Sequence, residues 1–386
     1  MTSLNKELNT GLKQQLDDTI EQFLNKEYDF PARQALVASE EGYSGENWRA
    51  FAELGWLGIP FAEQYGGIGG AFTDTLNMMR LFGRHLVLEP VVSTVGMVGS
   101  AIAHGTNQSL KEECLPRLIA GEVIGALALE EPGSRGNPAF VGVTAQSLGQ
   151  SQGDAQNGGY RLRGEKICVL NASQADYLLV SARTSGEQLD VDGISLFLIE
   201  AGREGVQLTS YPTVDGHRAA NISLDVELGP ESMLSEAGQG YPILAHAVDN
   251  GLLMLCAEAV GIMQALLDIT VEYTNTRKQF GVPLSTFQVL RHRMVDMFIE
   301  YQRTNALLDA VVLSLPAGTT VDRRSLHLLK AQVGHSGRIV GDAAIQLHGG
   351  MGMTDELIVG HHVKRLVAIG QLLGNADFHL QQAWRG

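Results

Sequence analysis

The hydrophobic period changes twice along this 386-residue chain, and that change limits the folds open to it. Up to about residue 120 the large apolar residues Phe23, Phe30, Leu36, Trp48, Phe51, Leu54 and Trp56 recur at helical intervals. The run Gly66-Gly67-Ile68-Gly69-Gly70 interrupts them. No strand precedes it and it does not match a dinucleotide fingerprint, so it reads as a loop. Past Gly121 a breaker-rich stretch, Glu130 to Pro138, leads into short strand-like runs: Val141 to Gln146, Tyr160 to Leu170, Tyr177 to Ala182, Ile194 to Ile199, Val206 to Leu208 and Ile222 to Val226. Turns such as Gln156-Asn157-Gly158-Gly159 separate them, and the spacing suggests a small barrel or sandwich. From Gly238 long helical patterns return: Tyr241 to Thr276, Phe287 to Leu315 (ended by Pro316), Ser325 to Leu347, and about Val359 to Trp384 with breaks expected at Gly370 and Gly374. The organisation expected is 1–121 helical, 122–233 β and 234–386 a helical bundle, an α+β chain.

Composition narrows the function classes. A net charge of −15 argues against nucleic-acid binding and gives no general pull on anionic ligands, so any phosphate contacts must be local. Cys114, Cys168 and Cys256 are scattered without metal spacing and read as reduced core thiols in a cytoplasmic protein. The most apolar run, Leu252 to Leu267, contains Glu258 and Gln264 and reads as a buried helix with no membrane insertion. His348, His361, His362 and His379 match no common zinc spacing.

Two stretches could carry chemistry. Tyr273 to Gly281 puts Arg277 and Phe280 at a helix end just before a glycine break. A guanidinium there suits a phosphate, and the aromatic face suits a base or flavin edge; a plain cationic helix C-terminus is the alternative. Gln346 to Gly352 puts glycines where backbone amides can approach a ligand, or where a helix is simply capped.

Together with Phe287-Gln288 and the helix–strand–helix order, these segments resemble the signatures of the acyl-CoA dehydrogenase family. The likeness extends from Ala52 to Pro60 through the tail. It implies a helical domain, a middle β-domain and a C-terminal four-helix bundle, usually assembled as a tetramer. It implies FAD as cofactor, an acyl-CoA substrate, α,β-dehydrogenation and an electron-transfer flavoprotein as acceptor. It also implies that Arg277, Gln279, Phe280, Leu284, Gln346, Gly349 and Gly350 reach the FAD of a neighbouring subunit.

Departures from the family pattern are as informative. The glutamate that removes the α-proton falls on Leu373 (of Leu373-Gly374-Asn375) or, in the variant placement, on Gly251, with Leu252 where an arginine often follows. No catalytic residue is therefore assigned; Asp249, Asp355, Glu356 and Asp377 are the other carboxylates nearby. In the β-domain, Glu130 to Asn137 has its hydroxyls displaced. Cys168 stands for a flavin-shielding Trp and Leu170 for a flavin-bonding Thr, while Arg135 is a further loop charge. Losses on the chain's own side, with the donated side kept, resemble the small subunit of heteromeric dehydrogenases of the pimeloyl-CoA and steroid side-chain type, which implies a second dehydrogenase subunit. A homotetramer with a relocated base and a non-catalytic scaffold are the alternatives.

Overall fold

The computed structural model describes residues 10–149, 158–315 and 321–385. The first helices are α1 (Thr10–Glu27), α2 (Phe30–Ala38), α3 (Gly45–Glu53) and α4 (Phe72–His85); a π-helix over Val92–Gly99 runs into α5 (Ser100–His104), followed by α6 (Gln108–Ile119). Side-chain caps start them where the sequence offers one: Ser44 accepts from the Asn47 amide and Asn107 from Leu110. Seven strands follow: β1 (Gly125–Ala128), β2 (Thr144–Ser147), β3 (Tyr160–Leu170), β4 (Tyr177–Arg183), β5 (Ile194–Glu200), β6 (Val206–Pro212) and β7 (Arg218–Leu228). Then come α7 (Tyr241–Thr276), the small strands β8 (Lys278–Gln279) and β9 (Val282–Pro283), α8 (Gln288–Leu313), α9 (Arg323–His348), α10 (Ile358–Gln371) and α11 (Ala376–Arg385).

The contacts divide the chain into two compact units interleaved in sequence. One comprises Leu36–Gly70 and Leu88–Gly251 and holds the sheet. Its strands run in the order β1-β4-β2-β3-β7-β6, with β5 on β4, as one curled sheet rather than two stacked ones. Val143, Leu162, Leu178, Val180, Phe197, Ile222 and Leu224 are buried in its core. The β3–β7 ladder is antiparallel and slips between Lys166 and Val169, which places a bulge at Cys168. Cys168 is consequently exposed, contrary to the core-thiol expectation; Cys114 and Cys256 are buried, and all three are free. The first predicted strand starts late, at Thr144, because Glu131 takes the Gly142 and Val143 amides. The Gln156-Asn157 part of the predicted turn and the Pro316 breaker lie outside the described residues.

The other unit comprises Met1–Ala35, Ala71–Val87 and Leu252–Gly386. Within it α4 and α7 meet through glycines: a Cβ on Gly83 would lie 2.1 Å from the Glu258 carbonyl oxygen, and one on Gly261 1.9 Å from that of Arg80. By length and composition α7 could cross a membrane, but 83% of its apolar window is buried inside the protein. Its Glu258 is bound through both carboxylate oxygens by Arg365 of α10, at 2.5 and 2.8 Å. A buried acid paired this way marks a core helix. Leu252, Leu255, Ile262 and Leu266 are all buried, as the pattern predicts. The last helical stretch breaks at Leu372–Asn375, where Leu373 and Gly374 both take positive φ; Gly370 stays helical.

Candidate functional site

The two sequence segments that promised chemistry come together in the second of these units. Arg277 closes α7, its amide bonded to the Tyr273 carbonyl at 2.8 Å. The chain then makes a hairpin in which Lys278 pairs with Pro283 and Gln279 with Val282, leaving Phe280-Gly281 as the two-residue loop. Both loop residues are left-handed, Phe280 at φ 53° and Gly281 at 81°. Such a loop prefers Asn-Gly or Gly-Gly, and a bulky first residue there is strained. Phe280 is nevertheless 92% exposed, with an edge-on contact to Phe287 as its ring partner. Leu284 is half-buried, and its amide bonds the Arg277 carbonyl at 2.8 Å. At the end of α9, Gln346, Gly349 and Gly350 are exposed. Gly349 has φ +62°, whereas Gly350 lies outside the left-handed region and a Cβ there would meet nothing within 4 Å. Folding of this chain does not require a glycine at 350, so its missing side chain leaves room for a group from outside.

The side chains of Arg277, Gln279 and Gln346 make no hydrogen bond or ion pair among the described residues. Tyr273 stacks on His348 with ring centroids 4.4 Å apart, which joins the two segments. A signal overlooked in the sequence reinforces this face. From Tyr273 to Val295 there is no Asp or Glu, while Arg277, Lys278, Arg291 and Arg293 are present, so a basic tract lies within an acidic chain.

Comparison with known proteins agrees with this geometry. The profile for the acyl-CoA dehydrogenase N-terminal domain matches residues 10–122, that for the middle domain 128–227, and that for the C-terminal domain 238–385. This chain belongs to the acyl-CoA dehydrogenase family. It is 31% identical to a short-chain-specific acyl-CoA dehydrogenase of Clostridium acetobutylicum, over 83% of this chain and 84% of that one. Among solved structures, a variant of the Tcur3481-Tcur3483 steroid ACAD is 28% identical, with TM-score 0.85 and 97% of each chain covered. Butyryl-CoA dehydrogenase of Megasphaera elsdenii shares the fold at TM-score 0.88 and 24% identity, covering 98% of this chain and 99% of that one. Membership makes the chain a flavoprotein oxidoreductase acting on CH–CH bonds, with FAD as cofactor and acyl-CoA as substrate class.

The positions that the resemblance assigns to the chain's own flavin lie in the sheet-bearing unit. Ser134 is buried; its hydroxyl donates to the Glu130 carboxylate and accepts from the Glu131 amide, so it is engaged within its own loop. Cys168 is left-handed at φ 51°, with the Tyr211 hydroxyl 3.3 Å from its sulfur. Burial, together with the bond to that sulfur, pushes the Tyr211 phenol up to about 12. Arg135 is an exposed loop charge at φ 49°. What persists is the frame behind these loops. Lys166 is completely buried, and its ammonium contacts Glu131 at 2.7 Å and Ser181 at 2.9 Å. Burial lowers the Lys166 pKa and Glu131 partly offsets that effect. The hydroxyl and aromatic groups expected to meet a flavin on this side are thus absent or engaged.

Neither of the two positions expected for the base carries a carboxylate. Leu373 is left-handed at φ 56° in the turn after α10, and Gly251 lies within α7. Asp355 is tied to Lys364 at 2.7 Å, which lowers its pKa, the wrong direction for a proton acceptor at neutral pH. Asp377 lines an open 590 Å³ depression with Leu380, Gln381, Trp384 and Arg385 on the outer face of α11. Glu356 is exposed and Asp249 buried. Among the described residues no group of three or more His, Cys, Asp or Glu is placed to hold a metal ion.

Proposed function

We propose that this chain is the small subunit of a heteromeric, FAD-dependent acyl-CoA dehydrogenase and supplies the outer half of an FAD site that a second dehydrogenase subunit completes. The observation that carries the reading is the pairing of a strained, 92%-exposed Phe280 and a free Arg277 with Leu373 and Gly251 at the two base positions. In this reading Arg277 holds a phosphate of the cofactor, Phe280 packs beside it, and Gln346 with the backbone at Gly349 and Gly350 borders the same nucleotide. When bound, FAD accepts the hydride that leaves the substrate's Cβ. The carboxylate that removes the α-proton then belongs to the partner. An apolar stripe on α8 supports a protein neighbour: Val295, Phe298 and Ile299 are exposed on the side opposite buried Met297. The similar Tcur3481-Tcur3483 structure carries two polypeptide names, in keeping with a two-chain enzyme.

The test is to express the chain alone and with a second dehydrogenase-like chain, and to count flavin per polypeptide. We expect a colourless isolated chain and about one FAD for two chains in the complex, with Arg277→Gln lowering FAD retention at least about tenfold. One FAD per chain with acyl-CoA oxidation by the isolated protein would sink the proposal.

A further inference from the structure

We infer that Tyr273 and His348 are a positioning pair that fixes the spacing between the hairpin segment and the Gly349–Met353 turn, so that the two act as one grip. The inference rests on the reading of these segments as the donated half of an FAD site, but the coupling it asserts lies within this chain. Tyr273 is one helical turn before Arg277 and bonds its amide, so the tyrosine sits at the root of the hairpin. His348 occupies the last position of α9 and is 3% exposed. Its Nδ1–H donates to the Ala344 carbonyl at 2.8 Å, which sets both tautomer and ring orientation. The turn then folds back over it: a Cβ on Gly352 would lie 3.1 Å from that of His348. The Nε2 atom is buried with no partner among the described residues, so hydrogen bonding at that end does not account for an imidazole here. The flat contact with Tyr273, at 4.4 Å and 28°, does account for it, and it is the ring contact recorded between these two segments. Two segments far apart in sequence are thereby clamped at their bases while Arg277, Phe280, Gln346 and Gly350 point outward.

The experiment compares Tyr273→Leu, His348→Leu, the double variant and His348→Phe in the full chain by amide hydrogen exchange. FAD release from the co-expressed complex is followed in parallel. If the rings couple the segments, either leucine speeds exchange about tenfold in both 277–287 and 346–354, including the segment that carries no substitution. The double variant is then no worse than a single one, and His348→Phe restores protection because a ring is back. FAD leaves about tenfold faster from complexes carrying either leucine and at the original rate with His348→Phe. Should a leucine variant fail to fold, His348→Gln keeps a donor for Ala344, removes only the ring and carries the same expectation. The inference is overturned if each substitution loosens only its own segment, or if the double variant shows the product of the single effects. Arg277→Gln separates the two ideas: unchanged FAD retention in that variant defeats the FAD reading, while the exchange pattern still decides the coupling.

Discussion

Phe280 shows how a single residue can be costly to folding and still be kept. A left-handed, bulky side chain in a two-residue hairpin loop costs about 1–3 kcal/mol, and here the aromatic face points away from the chain. Phe280→Asn suits the loop geometry. We expect it to raise unfolding free energy by about 1 kcal/mol in a denaturant titration while lowering FAD retention in the complex. A loss of both would show that Phe280 serves the fold. Left-handed non-glycine residues also fall at three positions where the sequence departed from the expected family pattern: Arg135, Cys168 and Leu373. The residue types at these positions were legible in the sequence. Their backbone conformation was not, because a φ angle is set by the turn around a residue and not by its identity. The inward rotation of Ser134 was equally hidden, since a hydroxyl's partner depends on how a loop folds.

At the scale of elements, the turn between α10 and α11 is held by a buried charge. Lys330 of α9 is completely buried and donates to the Gly374 carbonyl at 3.0 Å, while His379 bonds the Leu373 carbonyl at 3.0 Å. Burial drops the Lys330 pKa from 10.5 to about 8. Because the folded state gives up this proton more readily than the unfolded one, the unfolded chain binds more protons between those two values, and stability must rise with pH there. Below pH 8 both states carry the charge and folding bears its full cost. We therefore expect Lys330→Met to be the more stable protein at pH 7, with wild type gaining about 3 kcal/mol on the variant between pH 8 and 10.5. Chemical unfolding of both proteins across that range checks it; parallel curves would refute it. The helices themselves were readable because their apolar stripes are long and periodic, and α7 was read at both ends. The break at Leu372–Asn375 was placed less well, since Gly370 is tolerated inside α10 and the turn is fastened by α9, a distant part of the sequence.

At the scale of the whole molecule, the order of helices, strands and helices was legible, and so was the family. The interleaving of two compact units was not, because hydrophobic period reports local structure and not which segments share a core. The α8 stripe gives a prediction at this scale. Phe298→Lys with Ile299→Lys should leave the melting of the isolated chain within a few degrees while abolishing co-purification with a partner subunit, checked by calorimetry and size-exclusion chromatography. Retained association would place the partner on another face. Gly350 has a further consequence. Nothing among the described residues crowds it, so a screen that rewards expression or heat resistance in the lone polypeptide would accept almost any substitution there. In the proposed two-chain enzyme, variants gathered in that way would lose their fit to the cofactor, a loss that shows only when the proposed partner subunit is supplied.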